Sequence, residues 1–187
     1  MAEIVSTQAA VELIQAGEVI AYPTEAVFGL GCDPQNEAAV MRLLEIKKRP
    51  VEKGLILIAA DYSQLLPFVD DGAIPLERRA EIFSSWPGHI SWVLPASAQA
   101  PAWITGQHSS IAVRVSSHPV VRELCQTLAM PLVSTSANRA GDPALTDSAE
   151  VLRQLGDGIA ALVAGDLGGA AQPSPIRDAM SGQVLRS

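Results

Sequence analysis

The chain has 187 residues, 48% of them apolar and 18% charged, which excludes a disordered polypeptide and suits one domain with a substantial core. A formal net charge of −7 excludes a protein that coats nucleic acid by bulk charge, and an aromatic content of 4% leaves few surfaces for stacking bases. All three lysines nevertheless fall in the stretch Lys47-Lys48-Arg49-Pro50-Val51-Glu52-Lys53. Positive charge gathered into one segment of an acidic chain points at an anion.

Cys32 and Cys125 are far apart, which fits a reducing compartment and gives no disulfide framework. His89, His108 and His118 show no metal-ligand spacing. The N-terminus lacks a signal-peptide pattern, and no apolar run reaches about 18 residues. These features predict a cytoplasmic protein with no membrane segment, residues 1–187 forming a single domain.

Ser6 is placed to cap a first helix, with Ala10, Leu13 and Ile14 as its apolar stripe and Gly17 as its end. Val19-Ile20-Ala21-Tyr22 follows as a short strand, stopped by Pro23. The next residues run Thr24-Glu25-Ala26-Val27-Phe28-Gly29-Leu30-Gly31. Polar side chains directly after a buried strand mark a ligand-binding sheet edge, or simply a strand end with a Gly-rich turn. Asn36 caps a second helix that buries Ala39, Val40, Leu43 and Leu44 and ends at Pro50. Lys47, Lys48 and Arg49 then sit on its last turn, as an anion site or as a solvated end complementing the helix dipole. Lys53 and the apolar strand Leu55-Ile56-Leu57-Ile58 place this segment at the sheet rim.

Residues 61–88 read as helices and turns, with Arg78 and Arg79 on the surface. Ile90-Ser91-Trp92-Val93-Leu94 reads as a strand, and residues 95–109 as a surface connection. In Ile111-Ala112-Val113-Arg114-Val115, alternation puts Arg114 on the face opposite Ile111, Val113 and Val115. An arginine there must meet water, an acid or a ligand. His118-Pro119 opens a helix through Leu128, with His118 as a turn residue. Leu132-Val133 leads into Ser134-Thr135-Ser136-Ala137-Asn138-Arg139-Ala140-Gly141, a segment able to bind phosphate oxygens or to form a cap and turn. Asp147 and Glu150 open a helix through Leu155. Residues 159–163 form a strand, 165–175 a loop, and 176–186 a terminal strand with turns. The class is α/β or α+β, with a twisted, partly parallel sheet. Pro34 stands where a dinucleotide fingerprint needs its third glycine, and no P-loop or Gly-x-Ser-x-Gly elbow occurs.

One ordered set of segments carries more than any single motif. Tyr22-Pro23-Thr24-Glu25 with Gly29-Leu30-Gly31, Lys47-x-Arg49-Pro50, Ala112-Val113-Arg114-Val115 with His118-Pro119, and Ser134-Thr135-Ser136-Ala137-Asn138 resemble the YrdC family, in its single-domain bacterial form. The resemblance runs from about Val19 to Arg186. It implies an α/β fold, a twisted mixed sheet with surrounding helices and a large basic concave cavity. The activity implied is L-threonylcarbamoyladenylate synthesis from L-threonine, bicarbonate and ATP with release of pyrophosphate. The product serves the modification of adenosine 37 in tRNAs that read codons starting with A.

By the same resemblance Lys47, Arg49, Ser136 and Asn138 act on the triphosphate and bicarbonate-derived oxygens. Thr24 and Ser134 contact threonine, and Arg114 takes its carboxylate. Arg49, Lys53, Ser110, Ser136 and Arg186 face ATP, which brings Mg2+ held mainly by phosphates. A downstream tRNA threonylcarbamoyl-transferase complex is the implied partner. The chain departs from many relatives at Lys53, Ile58, Ala144 and Pro175. A different reading is a structured-RNA-binding module in tRNA or ribosome maturation, without chemistry of its own and with steep salt dependence.

Overall fold

Single-residue alternation organises the molecule. In the computed structural model, which describes residues 1–187, neighbouring residues of each central strand enter different cores. Val19, Ala21, Leu57, Ala59 and Val133 join a 32-residue cluster on one face of the sheet. Ile20, Tyr22, Ile58 and Leu132 join a 12-residue cluster on the other. Period-two burial on both sides makes these strands continuously apolar, and each face needs its own layer of helices.

The strands are β1 (Glu3–Val5), β2 (Ile20–Pro23), β3 (Phe28–Gly31), β4 (Ile56–Ala59), β5 (Ser91–Pro95), β6 (Ser110–Val115), β7 (Leu132–Ser136), β8 (Ala161–Val163), β9 (Ile176–Asp178) and β10 (Val184–Arg186). They form one mixed sheet in the order β1-β8-β2-β3-β7-β4-β6-β5-β9-β10. The pairs β1/β8, β2/β8, β4/β6 and β5/β9 are parallel, and the others are antiparallel. Helices α1 (Thr7–Gln15) and α5 (Pro119–Leu128) cover the smaller core. Helices α2 (Glu37–Lys47), α3 (Leu76–Ser84), α4 (Ala102–Thr105) and α6 (Ser148–Leu155) contribute to the larger one. No helix is long and apolar enough to cross a membrane.

Capping follows the sequence. Ser6, Asn36 and Asp147 accept the backbone N–H of Ala9, Ala39 and Glu150. His118 caps α5 through Nδ1, which accepts the Val120 N–H. Helix α2, however, ends at Lys47 and not at Pro50. Lys48 adopts the left-handed conformation (φ 53°) and closes the helix, so Arg49 lies outside it.

Three further expectations change. The Gly-rich stretch after Thr24 is strand β3, paired antiparallel with β2. Its glycines disfavour a strand locally, but the fold requires one: a Cβ on Gly31 would strike the Val133 carbonyl and lie 2.7 Å from the Tyr22 ring. The connection 95–109 contains α4, whose Ile104 is buried and whose Trp103 indole donates to Pro34 O at 2.8 Å. Arg78 and Arg79 are not free surface cations. Arg78 donates to Ala179 O and pairs with Glu81, and Arg79 pairs with Asp71.

Candidate active site

The ends of β2, β6 and β7, the C-terminus of α2 and the rim residues after it surround one cavity of about 600 Å³. Thr24, Lys47, Arg49, Lys53, Ser110, Arg114, Ser134, Ser136, Asn138 and Arg186 all line it. No aspartate or glutamate belongs to the lining. Residues separated by more than 150 positions in the chain thus converge on one space.

Lys47 is buried, with 3% exposure, although it terminates a helix. Its ammonium crosses to the end of β7 and donates to Ser136 O (2.6 Å), Asn138 O (2.9 Å) and Asn138 Oδ1 (3.0 Å). Ser136 Oγ donates to the same Oδ1 at 2.5 Å, and Asn138 Nδ2 donates to Asp142 O at 2.6 Å. Lys47, Ser136 and Asn138 are therefore one hydrogen-bonded unit. Burial, and secondarily the charge of Arg49, push Lys47 down to about 8, while three acceptors support its charged form.

Arg49 uses Nε (3.3 Å) and Nη2 (3.0 Å) to hold Gly54 O. The Nη1 edge has no protein partner and remains for the cavity. Desolvation lowers the guanidinium from its ordinary value. The loop from Pro50 to Gly54 is fixed from behind by α4, since Leu55 N–H donates to Ile104 O (2.9 Å) and Gln107 N–H to Glu52 O (3.0 Å). Lys53 projects from this loop and is exposed, as is Lys48.

Arg114, 5% exposed, meets an acid and also lines the cavity. Its Nη1 donates to Glu25 Oε2 at 2.8 Å, and Ser116 Oγ lies 3.1 Å from both Glu25 oxygens. Thr24 donates its hydroxyl to Val27 O (2.6 Å), leaving the oxygen lone pairs as acceptors. At the rim Arg186 forks onto Ser174 O through Nε (3.3 Å) and Nη2 (2.6 Å). Desolvation, then the nearby charge of Arg114, lower its guanidinium. Two cation pairs, Lys47 with Arg49 and Arg114 with Arg186, therefore repel within the same lining. Such a donor set complements oxyanions, carboxylate and phosphate alike.

Sequence reasoning left several lining residues unassigned. His89 is a cavity residue whose Nε2 donates to Gln172 O at 2.7 Å, and Ser91, His108 and Ser174 also line the space. Spacing alone carries no signal for them, because separate loops bring them in. Of the departures, Ala144 lines the cavity, whereas Ile58 is buried in the smaller core beneath α5. Pro175 is outside the lining, and its carbonyl accepts the Ser91 N–H.

The fold and lining define an α/β protein with one cavity lined by cationic and hydroxyl side chains. Comparison with known proteins gives the family. The Sua5/YciO/YrdC model, described as telomere recombination, matches residues 12–187, and the chain belongs to this family. It is similar to a threonylcarbamoyl-AMP synthase of Pseudoalteromonas translucida, 57% identical over 95% of both chains. It is also similar to one of Vibrio cholerae, 54% identical over 100% of this chain and 99% of the other. The structure of P. abyssi Sua5 complexed with L-threonine superposes with a TM-score of 0.85 at 30% identity, covering 95% of this chain. This chain spans about half (53%) of that longer one. E. coli YciO shares the fold, with a TM-score of 0.83 at 24% identity over 100% of this chain and 94% of that one.

Proposed function

We propose that this chain is a threonylcarbamoyl-AMP synthase, joining L-threonine, bicarbonate and ATP and releasing pyrophosphate. One observation carries the assignment from the structure: ten residues from remote segments, five of them cationic, line a single cavity that has no carboxylate in its lining. Near-full-length relatives named for this activity, at 54–57% identity, support the same reading.

The substrates explain the residue types. The threonine amine combines with bicarbonate to give a carbamate and water, and a carbamate oxygen then attacks the α-phosphorus of ATP as pyrophosphate leaves. Each partner is an anion, so the dominant obstacle is to bring negative groups together in line. In this reading the free edge of Arg114 takes the threonine carboxylate, and Thr24 accepts from the amine. Arg49 and Lys53 hold carbamate and phosphate oxygens, and the Lys47–Ser136–Asn138 unit, whose ammonium spends its three N–H groups on protein acceptors, adds positive charge beside them. Protein donors fixed before the substrates arrive need no reorganisation as charge shifts to pyrophosphate.

The lining offers Mg2+ no carboxylate, and no group of three His, Cys, Asp or Glu is arranged for a metal. The residues therefore fit the ion as an escort of ATP, held by phosphate oxygens and water, where it spreads the triphosphate charge. The product is passed to a downstream tRNA threonylcarbamoyl-transferase complex for adenosine 37. Nothing in the site favours a purely RNA-binding role.

The test incubates the protein with ATP, Mg2+, L-threonine and bicarbonate, and follows pyrophosphate and threonylcarbamoyl-adenylate by chromatography and mass. Product requiring all three substrates is expected. Equal pyrophosphate release without threonine overturns the assignment.

A further inference from the structure

Glu25 lies behind the lining of the cavity, 8% exposed, and none of the substrate roles described above involves it. Three connections meet there. Its Oε2 accepts Nη1 of Arg114 at 2.8 Å. Both carboxylate oxygens lie 3.1 Å from Ser116 Oγ, which also accepts the His118 N–H at 3.0 Å. Its backbone carbonyl accepts the Ala170 N–H at 2.9 Å, while the Thr24 carbonyl accepts the Gly168 N–H at 3.0 Å. The loop over residues 165–175 is thereby strapped across the back of the Thr24-Glu25 turn. The strap is held again by His118 Nε2 on Asp166 O and by His89 Nε2 on Gln172 O, both at 2.7 Å.

A guanidinium is planar and presents distinct edges. Arg114 spends Nη1 on Glu25, while Nε and Nη2 have no protein partner and neither is fully occluded. The arginine lines the cavity, so the side edge formed by Nε and Nη2 is the one left for a ligand. Two parallel N–H groups on that edge match the two oxygens of a carboxylate. We propose that Glu25 is a positioning residue for the amino-acid substrate: it captures one end of Arg114 so that the Nε/Nη2 edge faces the cavity. The backbone carbonyls of Thr24 and Glu25, tied to the strap, hold the turn that carries both the carboxylate and the acceptor for the amine. This inference rests on the assignment of Arg114 to the threonine carboxylate.

The experiment measures binding by calorimetry in Glu25→Gln, Ser116→Ala and Arg114→Lys, each in the full chain. The probes are L-threonine, L-threoninamide, which lacks the carboxylate, and ATP with Mg2+. Glu25→Gln keeps the shape and removes the charge that orients Arg114. It is expected to weaken L-threonine about tenfold, with L-threoninamide and ATP within about twofold of wild type. Ser116→Ala, which leaves the ion pair in place and serves if Glu25→Gln does not fold, is expected to weaken L-threonine alone by about threefold. Equal loss for threonine and its amide, or no loss in either variant, overturns the positioning role. Arg114→Lys separates the two layers. If it leaves threonine affinity unchanged, the assignment of Arg114 itself fails. If it weakens threonine while Glu25→Gln does not, only the role of Glu25 fails.

Discussion

Replacing Lys47 by methionine keeps an unbranched stem and removes the ammonium. Three acceptors lose a donor, but not equally. Ser136 O still receives the Asn138 N–H at 3.0 Å, and Asn138 Oδ1 still receives Ser136 Oγ–H at 2.5 Å. Asn138 O keeps nothing. One buried unsatisfied carbonyl costs about 1–3 kcal/mol, and relief from burying a charge offsets part of it. A net loss of about 1–2 kcal/mol at pH 7, or about 2–8 °C in melting temperature for a chain of this size, is expected. The pH dependence is the sharper readout. The folded chain holds Lys47 at about 8 against an ordinary 10.5, so between those values the unfolded state binds the extra proton. Wild-type stability therefore rises with pH across that window relative to Lys47→Met, and the difference is flat below pH 8. Cys32 and Cys125, which burial raises to about 12, titrate in both proteins and cancel in the comparison. Urea denaturation of both at pH 7, 8, 9 and 10 decides it. A difference independent of pH would refute the argument that burial disfavours the ammonium, and unchanged stability at pH 7 would refute the clamp.

Three other substitutions separate the roles within the basic segment. Arg49→Lys removes the fork on Gly54 O and the free guanidinium edge, so the Michaelis constant for ATP should rise by about tenfold while threonine binding is retained; isotope exchange or steady-state kinetics reads this. Gly106→Ala places a side chain at φ +64°, 2.6 Å from the Gly54 nitrogen, at a cost of about 1–2 kcal/mol or more. It should displace the loop that carries Lys53, and the loss should show in ATP affinity as well as in thermal melting. Lys48→Gly relieves a left-handed non-glycine residue on an exposed side chain, and should raise stability by about 0.5–1 kcal/mol with turnover unchanged.

Much of the site was legible because it lies where short apolar strands end in polar residues, and those ends are visible in linear sequence. Thr24 and Ser134 are found this way, Arg114 by its charge within an otherwise apolar strand, and the family resemblance groups them with Lys47 and Arg49. What was not legible depends on distance along the chain. Glu25 follows Thr24 directly, yet its partner Arg114 is 89 residues away, and nothing local distinguishes a buried carboxylate from a turn residue. The β2–β3 hairpin was hidden for a related reason. Gly29 and Gly31 weaken a strand by local propensity, and only the Tyr22 ring and the Val133 carbonyl, set by packing, explain why no larger residue fits at Gly31. Helix α4 was missed because four residues are too few to show a period, although Ile104 and Trp103 fix the rim of the site.

In the basic segment one backbone choice decides where each cation points. Had α2 continued to Pro50, helical geometry would have swung Lys47, Lys48 and Arg49 about 100° apart around one axis. The left-handed residue Lys48 stops the helix one position after Lys47 instead. Lys47 then remains on the buried face with Leu43 and Leu44 and reaches the end of β7. Lys48 is turned to solvent, and Arg49, released from the helix, folds back onto Gly54 O with one edge to spare. Three adjacent cations become a strand clamp, a solvated cap and a guanidinium with one edge open to the cavity. Their shared charge is thus divided by the conformation of the one member turned to solvent.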